Sequence, residues 1–309
     1  MLSVDFLRDT GENKKAIAIR LPDRTLVAVR VLASTSEAGY QKDRDELTMT
    51  PHREPSLGLT NITIIVPSYN PGSRVRHTVT AIEDAMIGGG FLPQILVVSD
   101  GSTDESLSIL DQIQSASVKH LKLKVNRGKG AAVRHGFGHA TGDVVGFIDA
   151  DGDISPYFLP IMIRLMDATG ADIVYGTKWH KQSEVIASPS RKLLSHAYRI
   201  MQKLLFGLDI SDTQVGIKIY RRSLIQHIEP LLQEERFALD LEIFVAALAV
   251  GASNFVEIPV KIHRTGASSV SIVAVIQTMR DMLRIFVRSR LMHEYKSESQ
   301  PSLTTEGKE

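Results

Sequence analysis

Short apolar runs alternate with helix-length amphipathic stretches through the middle of this chain. Val- and Ile-rich segments at 62–66, 95–98, 121–125, 144–148 and 173–175 have the length and composition of buried strands. Between them lie stretches of helical length such as 75–87 and 105–114. Apolar strands separated by helices predict a mostly parallel α/β sheet with helices on both faces. The N-terminal region differs. Residues 16–21 and 26–32 are two β-favouring runs around Pro22-Asp23 and predict a hairpin, while 33–57 is polar, is punctuated by Pro51 and Pro55, and reads as a linker. The pattern divides the chain into an N-terminal extension (1–57), an α/β unit (58–270) and a C-terminal segment (271–309).

That last segment has its own periodicity. Ile272, Val275, Met279, Met282, Leu283, Phe286 and Val287 recur at helical intervals, with Arg280, Arg284 and Arg288 on another side. Leu193, Leu194, Ala197, Met201, Leu204 and Leu205 with Lys192, Arg199 and Lys203 form a shorter version. Such stripes either cover the protein's own core beneath a solvated basic face or rest on an anionic bilayer. No run reaches the roughly 18 apolar residues of a membrane span. Residues 1–10 carry Asp5, Arg8 and Asp9 and lack the apolar core of a signal peptide, and 294–309 is a polar tail.

Composition narrows the classes. A chain of 309 residues, 43% hydrophobic, can bury a large core. Thirty-six Lys and Arg against 35 Asp and Glu leave no global field for nucleic acid, so any basic site is local. The absence of cysteine excludes disulfides, thiolate nucleophiles and Cys-ligated zinc. Ten histidines show no metal-ligand spacing; His263, beside Arg264, is the one adjacent to a candidate site residue.

Ligand crevices in parallel sheets lie at the carboxyl ends of the strands, and here those ends carry the unusual residues. They are Pro67-Ser68-Tyr69-Asn70, Asp100-Gly101-Ser102, Asn126-Arg127-Gly128-Lys129 and Asp149-Ala150-Asp151-Gly152-Asp153. On an extended strand Asp149, Asp151 and Asp153 would share a face and, with phosphate oxygens, suit Mg2+ or Mn2+. The same residues also suit a polar turn or a calcium loop. Asp100 can accept hydrogen bonds from a nucleobase or ribose, or simply close a turn, whereas Asp104 reads as a helix cap. The glycines, cations and helix start at 126–134 suit a diphosphate or a plain glycine turn, and they lack the Walker order. Asp212 suits either the orientation of acceptor or sugar hydroxyls or a helix N-cap.

The ordered set Ile64-Ile65-Val66-Pro67-Ser68-Tyr69-Asn70, Val97-Val98-Ser99-Asp100-Gly101-Ser102-Thr103-Asp104, Asn126-Arg127-Gly128-Lys129-Gly130 and Asp149-Ala150-Asp151-Gly152 resembles the signature of family 2 glycosyltransferases with the GT-A fold. Further along, Gly176-Thr177-Lys178, Arg191, the run from Asp212 to Lys218, the run from Phe237 to Glu242, Glu257-Ile258-Pro259 and Arg264-Thr265-Gly266 resemble its polyprenyl-phosphate (dolichyl-phosphate) glucosyl- and mannosyltransferase branch. The resemblance covers about 62–269 and departs at Ser99 and Pro71, where that family shows acidic residues.

It implies inverting transfer of a hexose from UDP-glucose or GDP-mannose to a polyprenyl phosphate, at the cytoplasmic face of a membrane. It assigns Asp149, Asp151 and Asp153 to the metal, with Asp151, Asp212, Arg191 and Arg264 in catalysis. Pro67, Tyr69, Asn70, Asp100, Lys129, Asp149, Ala150 and Lys178 would contact the donor, and Asp240 and Glu242 would be structural or face the sugar. Two other readings remain: transfer to a glycan or soluble hydroxyl, which requires a base, and nucleotide-sugar binding without catalysis.

Overall fold

A computed structural model describes residues 61–185, 189–262 and 272–295, together with strands within the first 33 residues. In chain order the elements are β1 (Ser3–Asp9), β2 (Lys14–Arg20), β3 (Leu26–Ala33), β4 (Asn61–Ser68), α1 (Arg74–Gly88), β5 (Leu92–Asp100), α2 (Ser106–Asp111), β6 (Val118–Leu123), α3 (Lys129–Phe137) and β7 (Val144–Ile148). There follow α4 (Phe158–Thr169), β8 (Ile173–Thr177), β9 (Glu184–Val185), α5 (Pro189–Phe206), β10 (Ile217–Arg221), α6 (Arg222–Ile228), α7 (Leu239–Ala249), β11 (Asn254–Pro259), β12 (Lys261–Ile262) and α8 (Ile272–Arg290).

One sheet runs in the order β1-β2-β3-β11-β8-β10-β7-β4-β5-β6. Strand β4 pairs in parallel with β5 and β7, β5 with β6, and β8 with β11. Strand β10 is antiparallel to both its neighbours, β7 and β8. It went unread in the sequence because Lys218 interrupts an otherwise apolar run; a charge in mid-strand argues for a solvent face, yet Lys218 is fully buried. Strands β1 to β3 form an antiparallel meander that joins the same sheet through β3 and β11, from Asn254↔Ala33 to Glu257↔Arg30.

Successive residues of β4 feed opposite cores, because strand side chains alternate faces. Ile64 and Val66 pack with Val79, Ile82 and Met162 of α1 and α4, and Ile65 packs in the core that includes Val133, Phe244 and Ile285 of α3, α7 and α8. Covering both faces buries β4 from Ile62 to Ser68 and makes its centre, Ile64 to Val66, a continuous apolar run. Strand β6 begins and ends earlier than its apolar run suggested: pairing with β5 stops at Asp100↔Leu123, and Val125, already in the loop, is 63% exposed.

Candidate active site

The carboxyl ends of β4, β5 and β7 border a cavity of about 490 Å³, within the size range of small-ligand clefts. Pro67, Tyr69, Asn70, Asp100, Lys129, Asp149, Ala150 and Asp151 all line it. Arg74, from the start of α1, and Arg236 and Phe237, from the segment before α7, line it too. Sequence reasoning did not single out these three. Phe237 opens the run to Glu242 that carried the resemblance, so a signal existed for it; nothing local marks Arg74 or Arg236.

The first two tips are stitched together. Asn70, at φ 46°, accepts the Thr103 N–H at 2.8 Å on its side-chain oxygen and donates its own N–H to Ser102 Oγ at 3.1 Å. Asp104 accepts from the Gly72 N–H at 2.7 Å and the Ser106 N–H at 3.2 Å; it stands one residue before Glu105, the N-cap position of α2, and so braces the turn into the helix where a cap was expected. Asn70 thus braces a loop junction while it lines the cleft.

Asp100 has a specific local task. Its two oxygens accept the backbone N–H groups of Arg127 at 2.8 Å and Gly128 at 2.7 Å, and the residue is 2% exposed. A carboxylate is therefore fixed at the N-terminus of α3, where the helix dipole favours negative charge. Of the two readings of 126–134, a diphosphate site or a glycine turn, these bonds favour the turn at Arg127 and Gly128, whose amides the protein's own carboxylate already occupies. Gly128 adopts φ 111°, and a Cβ there would lie 2.6 Å from the Glu235 carbonyl oxygen, so the loop can pack on the Glu235–Arg236 segment only without a side chain. The Ala131 N–H donates to the same carbonyl at 2.9 Å, and Arg127 pairs with the Glu235 carboxylate.

Beneath the cleft runs a line of alternating charges. Lys129 Nζ lies 2.7 Å from Asp149 Oδ1 and 3.5 Å from Asp240 Oδ2. Lys218 Nζ lies 2.6 Å from the other Asp240 oxygen and donates to the Val215 carbonyl at 2.6 Å. Burial pulls the Lys129 ammonium down, but Asp149 and Asp240 outweigh it and hold its pKa above the usual lysine range. Burial raises the Asp149 pKa; Lys129 opposes the rise, while the carboxylates of Asp151 and Asp240 add to it. Lys129 is thus occupied by carboxylates, where the sequence suggested a phosphate contact.

Asp149 and Asp151 fit a hard divalent cation. Both line the cleft and their oxygens are the right donors, and Asp151 is exposed to whatever enters it. Among the described residues no three His, Asp or Glu side chains form a metal cage, so diphosphate oxygens and water would complete the shell. Asp153 does not join the pair as expected. Strand β7 stops at Ile148, Gly152 turns the chain at φ 76°, and Asp151 accepts the Asp153 N–H at 3.0 Å, so the two-residue alternation that would have aligned three carboxylates ends too early.

Lys178 and Asp212 face each other away from the cavity lining. The ammonium lies 3.1 Å from one Asp212 oxygen, which also accepts the Lys178 N–H, and the other accepts the Gln214 N–H at 3.0 Å. Asp212 is 3% exposed and leads into β10, which overturns the helix N-cap reading and leaves its carboxylate bracing a turn. Arg191 lies in α5 with its side chain outside the described residues, as do Arg264 and His263 entirely.

Glu242 is structural. It is fully buried, accepts the Gln233 and Glu234 N–H groups and the Tyr295 hydroxyl, and pairs with Arg288. Arg288, read as part of a solvated basic face, is 5% exposed. Ser99, at a position of departure from the family, lies 2.9 Å from His120 Nε2, and His120 Nδ1 lies 3.1 Å from Asp111. At 1% exposure this Ser-His-Asp line has no accessible nucleophile.

Comparison with known proteins follows the same residues. The profile of glycosyl transferase family 2 matches residues 63–229. A dolichyl-phosphate beta-glucosyltransferase of Dictyostelium discoideum is 30% identical over 250 residues, 74% of each chain. Its counterpart from Drosophila melanogaster is 32% identical over 209 residues, 62% of this chain and 63% of that one. Among solved structures, glucosyl-3-phosphoglycerate synthase of Mycobacterium tuberculosis, in complex with Mn2+, UDP-glucose and phosphoglyceric acid, superposes with a TM-score of 0.59 at 16% identity, covering 75% of this chain and 81% of that one. That likeness establishes the GT-A fold. With its sheet, its strand-tip motifs and these matches, the chain belongs to glycosyl transferase family 2 and is a glycosyltransferase.

Proposed function

We propose that this enzyme moves glucose from UDP-glucose to a polyprenyl phosphate of the dolichyl type, with inversion at the anomeric carbon. The observation that carries the reading is the pairing of Asp149 and Asp151 on the wall of a nucleotide-sized cleft that also presents Arg74 and Arg236. The names of the relatives support glucose and dolichyl phosphate over GDP-mannose, and the Mn2+ and UDP of the mycobacterial neighbour support a metal-assisted diphosphate donor.

Asp149 and Asp151 would hold Mg2+ or Mn2+, which when bound neutralises charge on the departing diphosphate. Asp100 keeps the 126–128 loop in place beside the donor, and the exposed rings of Tyr69 and Phe237 offer faces for base or sugar. The acceptor carries its own nucleophile. A phosphate monoester has a second pKa near ~6 and is largely dianionic at neutral pH, so no strong base is required. This agrees with an Asp212 already engaged by Lys178 and Gln214. What transfer needs from the chain is an in-line approach and cations to hold two anions close, for which arginine's donor fork is suited. We assign acceptor phosphate recognition to Arg191 and Arg264.

The same reading puts the enzyme at the cytoplasmic face of a membrane. Among the described residues no helix is long and apolar enough to cross a bilayer. Helix α8 nonetheless exposes Ile276, Leu283 and Val287, followed by Leu291, beside Arg280, Arg284 and Arg290, and the neighbouring α5 exposes Ile200 and Leu204 beside Lys203. An apolar stripe flanked by cations suits an anionic lipid surface.

The test is a donor screen with polyprenyl phosphate and Mg2+ or Mn2+, reading labelled glycolipid. UDP-glucose should be the productive donor, and Arg264→Ala should impair acceptor use while leaving donor binding nearly intact. Transfer to a hydroxyl acceptor, or donor binding without turnover, would replace this reading.

A further inference from the structure

Lys129, Asp240 and Lys218 lie behind the carboxylate that faces the cleft. The Lys129 ammonium is shared unequally, at 2.7 Å from Asp149 and 3.5 Å from Asp240. Lys218 neutralises Asp240 from the far side at 2.6 Å, and it is itself fully buried. The ring of Phe147 is common to both cations, with the Lys129 and Lys218 ammoniums 4.8 and 4.9 Å from its centroid. Phe147 sits two residues before Asp149, under the end of β7. The four charges sum to zero, and only the Asp149 and Lys129 end borders the cavity.

A resident ammonium against Asp149 and a divalent cation on Asp149 oppose each other, because like charges at contact distance repel. Loading the metal therefore requires Lys129 to retreat. A buried ammonium cannot retreat into apolar surroundings without heavy cost, so it needs a second carboxylate within reach. Asp240 is that carboxylate, already 3.5 Å away. Asp240 remains a buried anion in either state only because Lys218 holds its other oxygen.

We propose that Asp240 and Lys218 are positioning residues for the metal-binding carboxylate: they give the Lys129 ammonium a second berth, so that Asp149 can pass from its internal counter-ion to a divalent cation. This rests on the metal reading above and adds to it the handover of Asp149 between two cations.

The experiment measures Mn2+ alone binding to the full chain, by loss of the free-ion electron paramagnetic resonance signal, with no nucleotide and no turnover. Asp240→Asn on its own strands Lys218 and can fail to fold, so the decisive variant is Asp240→Asn with Lys218→Met, which removes the buried pair together. Its melting temperature should stay near wild type. Its Mn2+ affinity should fall by about tenfold or more, the usual scale for losing a partner behind a metal ligand, because Lys129 now remains on Asp149. Adding Lys129→Met should then restore affinity above that of the double variant, a reversal that a purely structural role would not produce. Wild-type affinity in the double variant, or no recovery in the triple, overturns the handover while leaving the metal assignment standing. Failure of the wild-type protein to bind Mn2+ overturns both.

Discussion

Helix α7 carries two acidic residues two positions apart, Asp240 and Glu242, and they serve two different charge networks. Asp240 faces Lys218 and Lys129 and, through Lys129, the cleft carboxylate Asp149. Glu242 meets Arg288 and Tyr295 near the C-terminal end of the described chain and the Gln233 and Glu234 amides, none of which lines the cavity. Residues two apart on a helix point in widely different directions, so adjacent letters enter unrelated surroundings. Both networks are buried, but one ends at a cleft and the other closes on itself. Burial of a charge therefore does not mark function; opening of its network onto a cavity does.

Breaking the closed network should have the largest energetic effect. Glu242→Gln removes one of the two carboxylates that Arg288 faces, leaving Glu294 at 2.7 Å, and should cost about 3 kcal/mol in chemical denaturation, the low end for a broken buried pair, with transfer activity per folded molecule retained. Activity lost in step with an unchanged denaturation midpoint would remove the distinction between the networks.

Breaking the open network should do the reverse. Asp151 is exposed, so Asp151→Ala should leave the melting temperature nearly unchanged while metal-dependent donor binding and transfer fall by about 100-fold or more. Calorimetric titration of UDP with and without Mn2+ measures this, and undiminished metal-dependent binding would count against the site.

Glu234 sharpens the comparison through pH. It is 2% exposed, its Oε1 accepts no hydrogen bond among the described residues, and Arg284 Nη1 stands 3.5 Å away. Burial raises its pKa from 4.5 to about 7, with Arg284 opposing the rise. A carboxyl with a raised folded-state pKa binds protons more tightly when folded, so its contribution favours folding at low pH and is lost as pH rises from the ordinary value to the raised one. Glu234→Gln should therefore melt above wild type at pH 8, with the difference vanishing near pH 4.5. A pH-independent difference would show that this carboxyl does not titrate as placed.

The smallest effect belongs to the surface. Lys261 and Glu184 pair at 2.9 Å between β12 and β9, with side chains 53% and 65% exposed. Solvent and salt screen such a pair, so Lys261→Ala should shift stability by no more than about 1 kcal/mol in denaturant melts.

Much of the cleft could be read from the sequence because it depends on local pattern. Strands buried on both faces announce themselves as apolar runs, and their carboxyl ends collect the glycines and acids of the site. The misreadings share another origin. Lys218 hid β10 because its partner Asp240 is 22 residues on. Helical periodicity puts Arg288 on an outward basic face, towards solvent or lipid, because it records spacing alone, while its partner Glu242 is 46 residues back. Asp153 failed to join Asp149 and Asp151 because a turn at Gly152 replaced the assumed strand.

From its letters alone, then, the chain specified its parallel α/β elements, its family and the strand tips where chemistry gathers, because alternation of apolar residues and turn-forming glycines acts over a few positions. Only the folded molecule decided what each carboxylate faces: Asp100 the amides of a loop, Asp212 a turn and Lys178, and Asp149 the ammonium of Lys129. Those choices come from charges brought together across tens of residues in a low-dielectric interior, where distance in space, not in sequence, sets the energy.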